Sequence, residues 1–110
     1  MDLQQQYETY LKIGWSEYEK SADWLRFRRH WLRDNPPLDN GYYICGICGH
    51  WVAAEEVTLD HIEPRRADNI FLYSNIQPAH GRCNYLKGSK RWKPKVSQET
   101  YEFLRFLSNI

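Results

Sequence analysis

The chain has little of what would classify it at once. Its 15 basic and 14 acidic residues leave a net charge of only +1. Bulk charge therefore does not mark a nucleic-acid binder, and any such role has to come from local clustering. No apolar run approaches the roughly 20 residues that span a bilayer. The opening M-D-L-Q-Q-Q-Y-E lacks the basic-then-apolar layout of a secretory signal. Cysteine is scarce and odd in number, at three, so a disulfide framework would leave one thiol over. No internal repeat or low-complexity tract is present. These absences predict a cytoplasmic protein without a membrane partner, whose thiols are held by metal.

At 110 residues with a mean hydropathy of -0.77, the chain is near the lower limit for a self-sufficient core, and one domain is expected over 1–110. Five Trp and eight Tyr supply large buried area from few residues. A structural zinc is the natural extra staple, because its binding free energy (~10–16 kcal/mol in small zinc peptides) is coupled to folding.

Residues 1–35 read as a helical segment. Leu3, Tyr7, Tyr10 and Leu11 recur at helical spacing up to Gly14. A longer helix is predicted over 16–33, opened by a capping box of Ser16 and Glu19 and stopped by Asn35-Pro36-Pro37. Its stripe of Trp24, Phe27 and Trp31 should face the core, while Arg26, Arg29 and Arg33 take another face. Short strands are expected at 42–44 and 57–59, a loop at 64–74, and a short helix starting at Pro78 or Ala79. Residues 42–90 form the predicted core. A basic linker spans 87–95, and a closing helix over 97–109 lies within the C-terminal segment 91–110, with Phe103, Phe106, Leu107 and Ile110 inward.

The stretch 45–88 carries two interleaved donor sets. Cys45 and Cys48, then His80 and Cys83, form two pairs at x2 spacing, which suits a tetrahedral structural zinc. His50 follows Cys48 too closely for easy closure, and His30 on an aromatic helix reads as structural. Asp60, His61, Asn75 and Asn84 are instead oxygen and imidazole groups. Histidine suits a general base near neutrality, while Asp60 and Asn84 offer hard oxygens for a magnesium ion. Zinc closure would carry the helix with Asn84 onto the strand with Asp60. Adjacent residues of a strand point to opposite faces, so Asp60 and His61 can serve one site if a twist or bulge intervenes or if the metal is bound at the strand end.

D-H-I-x-P, N-I-Q and H-x2-C-N-x2-K-G, framed by C-x2-C-G, resemble the zinc-bearing HNH endonucleases of the ββα-metal (His-Me finger) fold. The segment from Tyr18 to Asp34 is similar to the helix that precedes the first knuckle in many members. The resemblance covers roughly residues 18–90. It implies a small α+β fold whose ββα-metal core is stapled by zinc and flanked by N- and C-terminal helices. It implies His61 as general base, Asn75 as the residue holding the base's strand, and Asp60 with Asn84 as ligands of one catalytic ion, usually magnesium and sometimes manganese or nickel. Asn84 stands where many members have histidine, and His80 where cysteine is commonest. An extended turn precedes the first knuckle, and the region between His61 and Asn75 is Arg-rich and aromatic rather than glycine-rich.

The implied substrate is DNA, double-stranded by expectation. Arg65, Arg66, Arg82, Lys87, Lys90 and Arg91 are the candidate phosphate contacts, with Lys93 and Lys95 beyond them. Trp92 among these lysines reads as a stacking or core residue. Two other readings use the same residues: a non-catalytic zinc module that binds DNA, and a nuclease subunit working inside a larger packaging or restriction complex. A single centre cuts one strand per event, so a homodimer is a further possible partner.

Overall fold

The computed structural model describes residues 2–88 and residue 103, and groups them into two compact units. The first comprises the chain up to Pro36 together with Arg65–Asn75. The second comprises Pro37–Pro64 together with the chain from Ile76 onward.

The first unit holds helices α1 (Leu3–Ile13), α2 (Trp15–Tyr18) and α3 (Ala22–Asp34), and a 3-10 turn at Tyr73–Asn75. Asp2 caps α1 through a reciprocal box with Gln5, and Gly14 ends it with φ 83°, a conformation open to glycine. The predicted single helix over 16–33 is in fact two. Ser21 accepts a hydrogen bond from the Trp24 N–H and opens α3, so the cap belongs to Ser21 rather than Ser16. Ser16 lies inside α2, and the break at Glu19–Ser21 leaves Ser21 to open α3.

Tyr18, Trp24, Trp31 and Ile70 are buried in this unit. A chain of ring contacts links Trp15 to Trp24 (4.9 Å), Trp24 to Phe27 (5.0 Å) and Phe27 to Phe71 (5.2 Å). The α3 stripe therefore packs as its spacing predicted. The α1 stripe does not: Leu3 and Leu11 are exposed, and no residue of that helix is buried. Its aromatic members Tyr7 and Tyr10 take the contacts, with Tyr10 packing on Trp15 and Tyr18.

The second unit contains two antiparallel pairs, β1 (Tyr42–Ile44) with β2 (Trp51–Ala53), and β3 (Val57–His61) with β4 (Ile76–His80), followed by helix α4 (Gly81–Lys87). The β3 pattern was legible, and the strand runs two residues further than expected. Pro78 and Ala79 do not start a helix; they continue β4, where Pro78 faces Leu59 and His80 faces Val57. Proline is tolerated because a two-stranded ladder leaves each strand an outer edge. Tyr43, Cys45, Ile47, Val52, Val57, Leu59, Ile76 and Ala79 form the apolar interior.

The β1–β2 hairpin ends in a tight knuckle. Cys45 N–H donates to the His50 carbonyl (2.8 Å), Gly49 N–H donates to the Cys45 carbonyl (2.9 Å), and Gly49 has φ 81°. Gly46 N–H donates to the Pro78 carbonyl (2.8 Å), which ties the knuckle to β4. The result is a small α+β protein with a ββα arrangement of β3, β4 and α4. Of the predicted closing helix, only Phe103 is among the described residues; it is helical but exposed, not inward. The remainder of that helix and the linker residues Lys90, Arg91, Trp92, Lys93 and Lys95 lie outside them.

Candidate metal centre and catalytic strand

The knuckle brings Cys45 and Cys48 to the end of β4, where His80 leads into the first turn of α4 and Cys83 follows one turn later. One ligand atom from each of the four lies within 4.8 Å of all the others. Cys48 Sγ is 3.4 Å and Cys83 Sγ 3.7 Å from His80 Nδ1. A tetrahedral zinc with bonds of about 2.0–2.3 Å has ligand–ligand edges of roughly 3.3–3.8 Å, so these spacings fit.

The hydrogen bonds around the cluster fit as well. His80 Nε2 lies 2.8 Å from the Trp51 carbonyl, an acceptor, so that nitrogen carries the proton. Nδ1 is thereby left as the lone-pair atom facing the thiols, an outer-shell arrangement typical of a metal-bound histidine. The N–H groups of Cys48 and His80 both approach Cys45 Sγ at 3.5 Å. Burial pushes the Cys45 thiol up, but those backbone donors, a third from Ile47 and the His80 ring together bring it down to about 7. Burial and the adjacent Cys48 and Cys45 sulfurs push Cys83 up to about 12. Sulfurs this close oppose one another's ionisation, and a shared dication relieves that opposition.

Beside this cluster, α4 lies on β3 through polar side chains. Asn84 Nδ2 donates to Thr58 Oγ1 (3.1 Å) and to the Leu59 carbonyl (3.2 Å). Asp60 is 3 % exposed and its two oxygens are both engaged. Oδ2 accepts from Gln77 Nε2 (2.9 Å), and Oδ1 pairs with Lys87 Nζ (3.2 Å). Lys87 Nζ also donates to the His61 carbonyl (2.7 Å). Its side chain is 1 % exposed.

These contacts correct two expectations. Lys87 does not present its charge to a DNA phosphate: its ammonium is turned inward, where a buried carboxylate and a carbonyl satisfy it. Nor does a bulge bring the Asp60 and His61 side chains together. The register runs unbroken from Val57↔His80 to His61↔Ile76. Thr58 and Asp60 share the face covered by α4, through Asn84 and Lys87 respectively. His61 itself is buried, at 3 % exposure.

The remaining candidates are spread more widely. Asn75 is buried at the end of the 3-10 turn and immediately precedes Ile76, the partner of His61 in the ladder. Arg82 is exposed on α4. Arg66 is exposed and paired with Asp68 (3.1 Å). Arg65 is stacked, its guanidinium 4.0 Å from the Trp15 ring centre and 5.2 Å from that of Tyr10. Part of its surface therefore serves aromatic packing rather than phosphate. His50 is exposed and takes no part in the four-residue cluster. Gln77 and Thr58 were missed as site residues. Gln77 sits within the N-I-Q motif, but only the ladder register shows it opposite Asp60.

A knuckle of cysteines clamping a ββα unit defines a class of small metal-stapled domains with the ββα-metal arrangement. Residues 44–90 match the model of the HNH endonuclease family. No match was found among curated proteins or among solved structures. A nuclease-type function follows in general terms. No helix among the described residues is long and apolar enough to cross a membrane.

Proposed function

We propose that the protein is an endonuclease that hydrolyses DNA phosphodiester bonds, with His61 as general base. The observation that carries this reading is the clamp itself. The four-ligand cluster sits at the end of β4 and the start of α4, and holds α4 against the strand that ends in Asp60-His61. In the reaction, His61 takes a proton from a water whose oxygen forms a new bond to phosphorus. One P–O ester bond breaks, and the leaving alkoxide takes a proton from solvent. Asn75, next in sequence to the residue paired with His61, is proposed to hold the base's strand. Zinc at Cys45, Cys48, His80 and Cys83 is structural in this reading. Arg82 and Arg66, with Lys90 and Arg91 outside the described residues, are proposed to contact phosphates; such contacts give affinity that falls with salt.

The divalent ion implied by the family, magnesium or alternatively manganese or nickel, would supply charge stabilisation at the leaving oxygen. The residues do not fit it as arranged. Both Asp60 oxygens are committed to Lys87 and Gln77, and Asn84 turns its NH2 toward β3. No step is derived through that ion.

The test is nicking of supercoiled plasmid in magnesium or manganese by the zinc-loaded protein and by His61→Ala. Loss of a general base should lower the rate by roughly 10²–10⁴-fold. Equal nicking by both proteins, or none by either with any divalent ion, overturns the proposal. The commitment of Asp60 favours one second reading, a non-catalytic zinc module that binds DNA. Salt-sensitive DNA binding without nicking is its signature in the same experiment.

A further inference from the structure

Among the described residues β3 pairs only with β4, so its other edge has no neighbouring strand. Carbonyls two residues apart in a strand leave by the same edge. Leu59 stands opposite Pro78, which has no N–H to offer across the ladder. Its carbonyl is met from α4 by Asn84 Nδ2 at 3.2 Å, and two residues on, the His61 carbonyl is met by Lys87 Nζ at 2.7 Å. Asn84 and Lys87 are three apart in α4 and so share a face. Their side chains take the place of a strand along that edge. His61 is the last residue of the ladder, paired with Ile76, the first of β4. Ladder ends fray first, so pairing on one side alone would hold His61 weakly. The Lys87 bond supplies the second side. It is a short, charge-assisted bond from an ammonium whose side chain is 1 % exposed, and the Asp60 carboxylate at 3.2 Å balances its charge. Gln77 Nε2 holds the other Asp60 oxygen at 2.9 Å, so that counter-ion is itself fixed.

We infer that Lys87 is a positioning residue for His61: through the backbone carbonyl it fixes the end of β3, and with it the imidazole, while Asp60 serves as its buried counter-anion. The inference rests on the nuclease reading and deepens it by naming what holds the base in place. Lys87 acts through His61 and exchanges no proton with substrate. A general base needs its nitrogen within hydrogen-bond reach of the water it deprotonates, and a displacement of about 1 Å can cost roughly 10²-fold in rate. Lysine suits the task because its compact ammonium donates in several directions at once, here to Asp60 Oδ1 and to the His61 carbonyl. The two ends of α4 thereby do different work. Cys83 in its first turn joins the thiol cluster, and Lys87 at its last residue anchors the strand that carries the base.

The experiment reads His61 itself as well as cleavage. Carbon-13 relaxation at the His61 ring reports ring order in the zinc-loaded full chain, compared between the wild type, Lys87→Met, and Lys87→Met combined with Asp60→Leu. Lys87→Met alone strands a buried carboxylate; the double variant removes that charge but returns no donor to the carbonyl. The ring should be rigid in the wild type and lose order in both variants, even though the double variant regains thermal stability. A role confined to balancing Asp60 would instead let ring order return with stability, and that result overturns the inference. Steady-state nicking by Lys87→Met, or by the double variant if the single one does not fold, should show kcat lowered roughly 10²-fold at unchanged KM. An unchanged kcat, or a loss confined to KM, overturns the inference equally. A wild type that nicks no DNA sinks the nuclease reading and this inference with it, whereas normal nicking with ring order restored in the double variant sinks this inference alone.

Discussion

Two groups of side chains, one on the β1–β2 knuckle, β4 and α4 and the other on β3, β4 and α4, solve opposite electrostatic problems. The first gathers three thiols and one imidazole within 4.8 Å, donors with no positive charge of their own when deprotonated. The second gathers one carboxylate, one ammonium and one amide, and is already balanced. The first could hold an added ion, whereas the second already has a cation beside its carboxylate. Proximity of ligating residues is therefore a poor guide to metal binding unless the charge of the neighbours is counted.

The two regions are joined at Gly46. Its N–H holds β4 through Pro78, and a Cβ there would collide with the side-chain amide of Gln77, the same side chain that donates to Asp60. The knuckle thus sets the position of one Asp60 partner directly.

The comparison can be broken from either end. The largest effect is expected at the thiol cluster. Cys48→Ser, or chelation of zinc, should abolish cooperative unfolding, since roughly 10–16 kcal/mol of metal binding is coupled to folding in small zinc domains. Circular dichroism melts with metal analysis check this, and a metal-free sample that still melts cooperatively removes zinc from the account. Next in size is Lys87→Met, which leaves a buried carboxylate without its cation and should cost about 3–5 kcal/mol in denaturant unfolding. The double variant Lys87→Met with Asp60→Leu should recover much of that loss, because the pair then leaves together; no recovery means the ammonium works mainly through the His61 carbonyl.

Gly46→Ala comes third. It should destabilise by about 1–3 kcal/mol through overpacking against Gln77. Combined with Gln77→Ala, the two effects should be clearly less than additive; strict additivity would break the proposed link between the regions. The smallest effect is expected at Thr58→Val, which removes a hydroxyl that accepts from Asn84 and donates to the Ala79 carbonyl at 2.9 Å. About 1 kcal/mol is anticipated, with zinc content unchanged.

Much of the first region was legible in the residue order. The x2 spacings named all four members of the cluster, because a knuckle and a helix turn are local geometries that the intervening two residues dictate. The aromatic stripe of α3 was legible for the same reason. The second region was only half legible. Asp60 and Asn84 were expected on facing elements, and they are, with Asn84 bonded to the strand that ends in Asp60-His61. Lys87, however, stood in a run of basic residues and read as a phosphate contact. Its inward direction depends on helix phase: it lies three residues beyond Asn84 and so shares the face that meets β3. The strand Ile76–His80 was missed because Pro78 and the short run of mixed residues carry weak strand preference, and the ladder with β3 overrides it.

By itself, the sequence determined the chemistry available: soft donors paired at fixed short spacings, and a D-H dipeptide between them. These follow from side-chain type and a few bonds of backbone. Only the tertiary structure decided which carboxylate partner would be a cation. A lysine stem can point either way from the same Cα, and the buried charge of Asp60, brought near by distant segments, is what draws it inward.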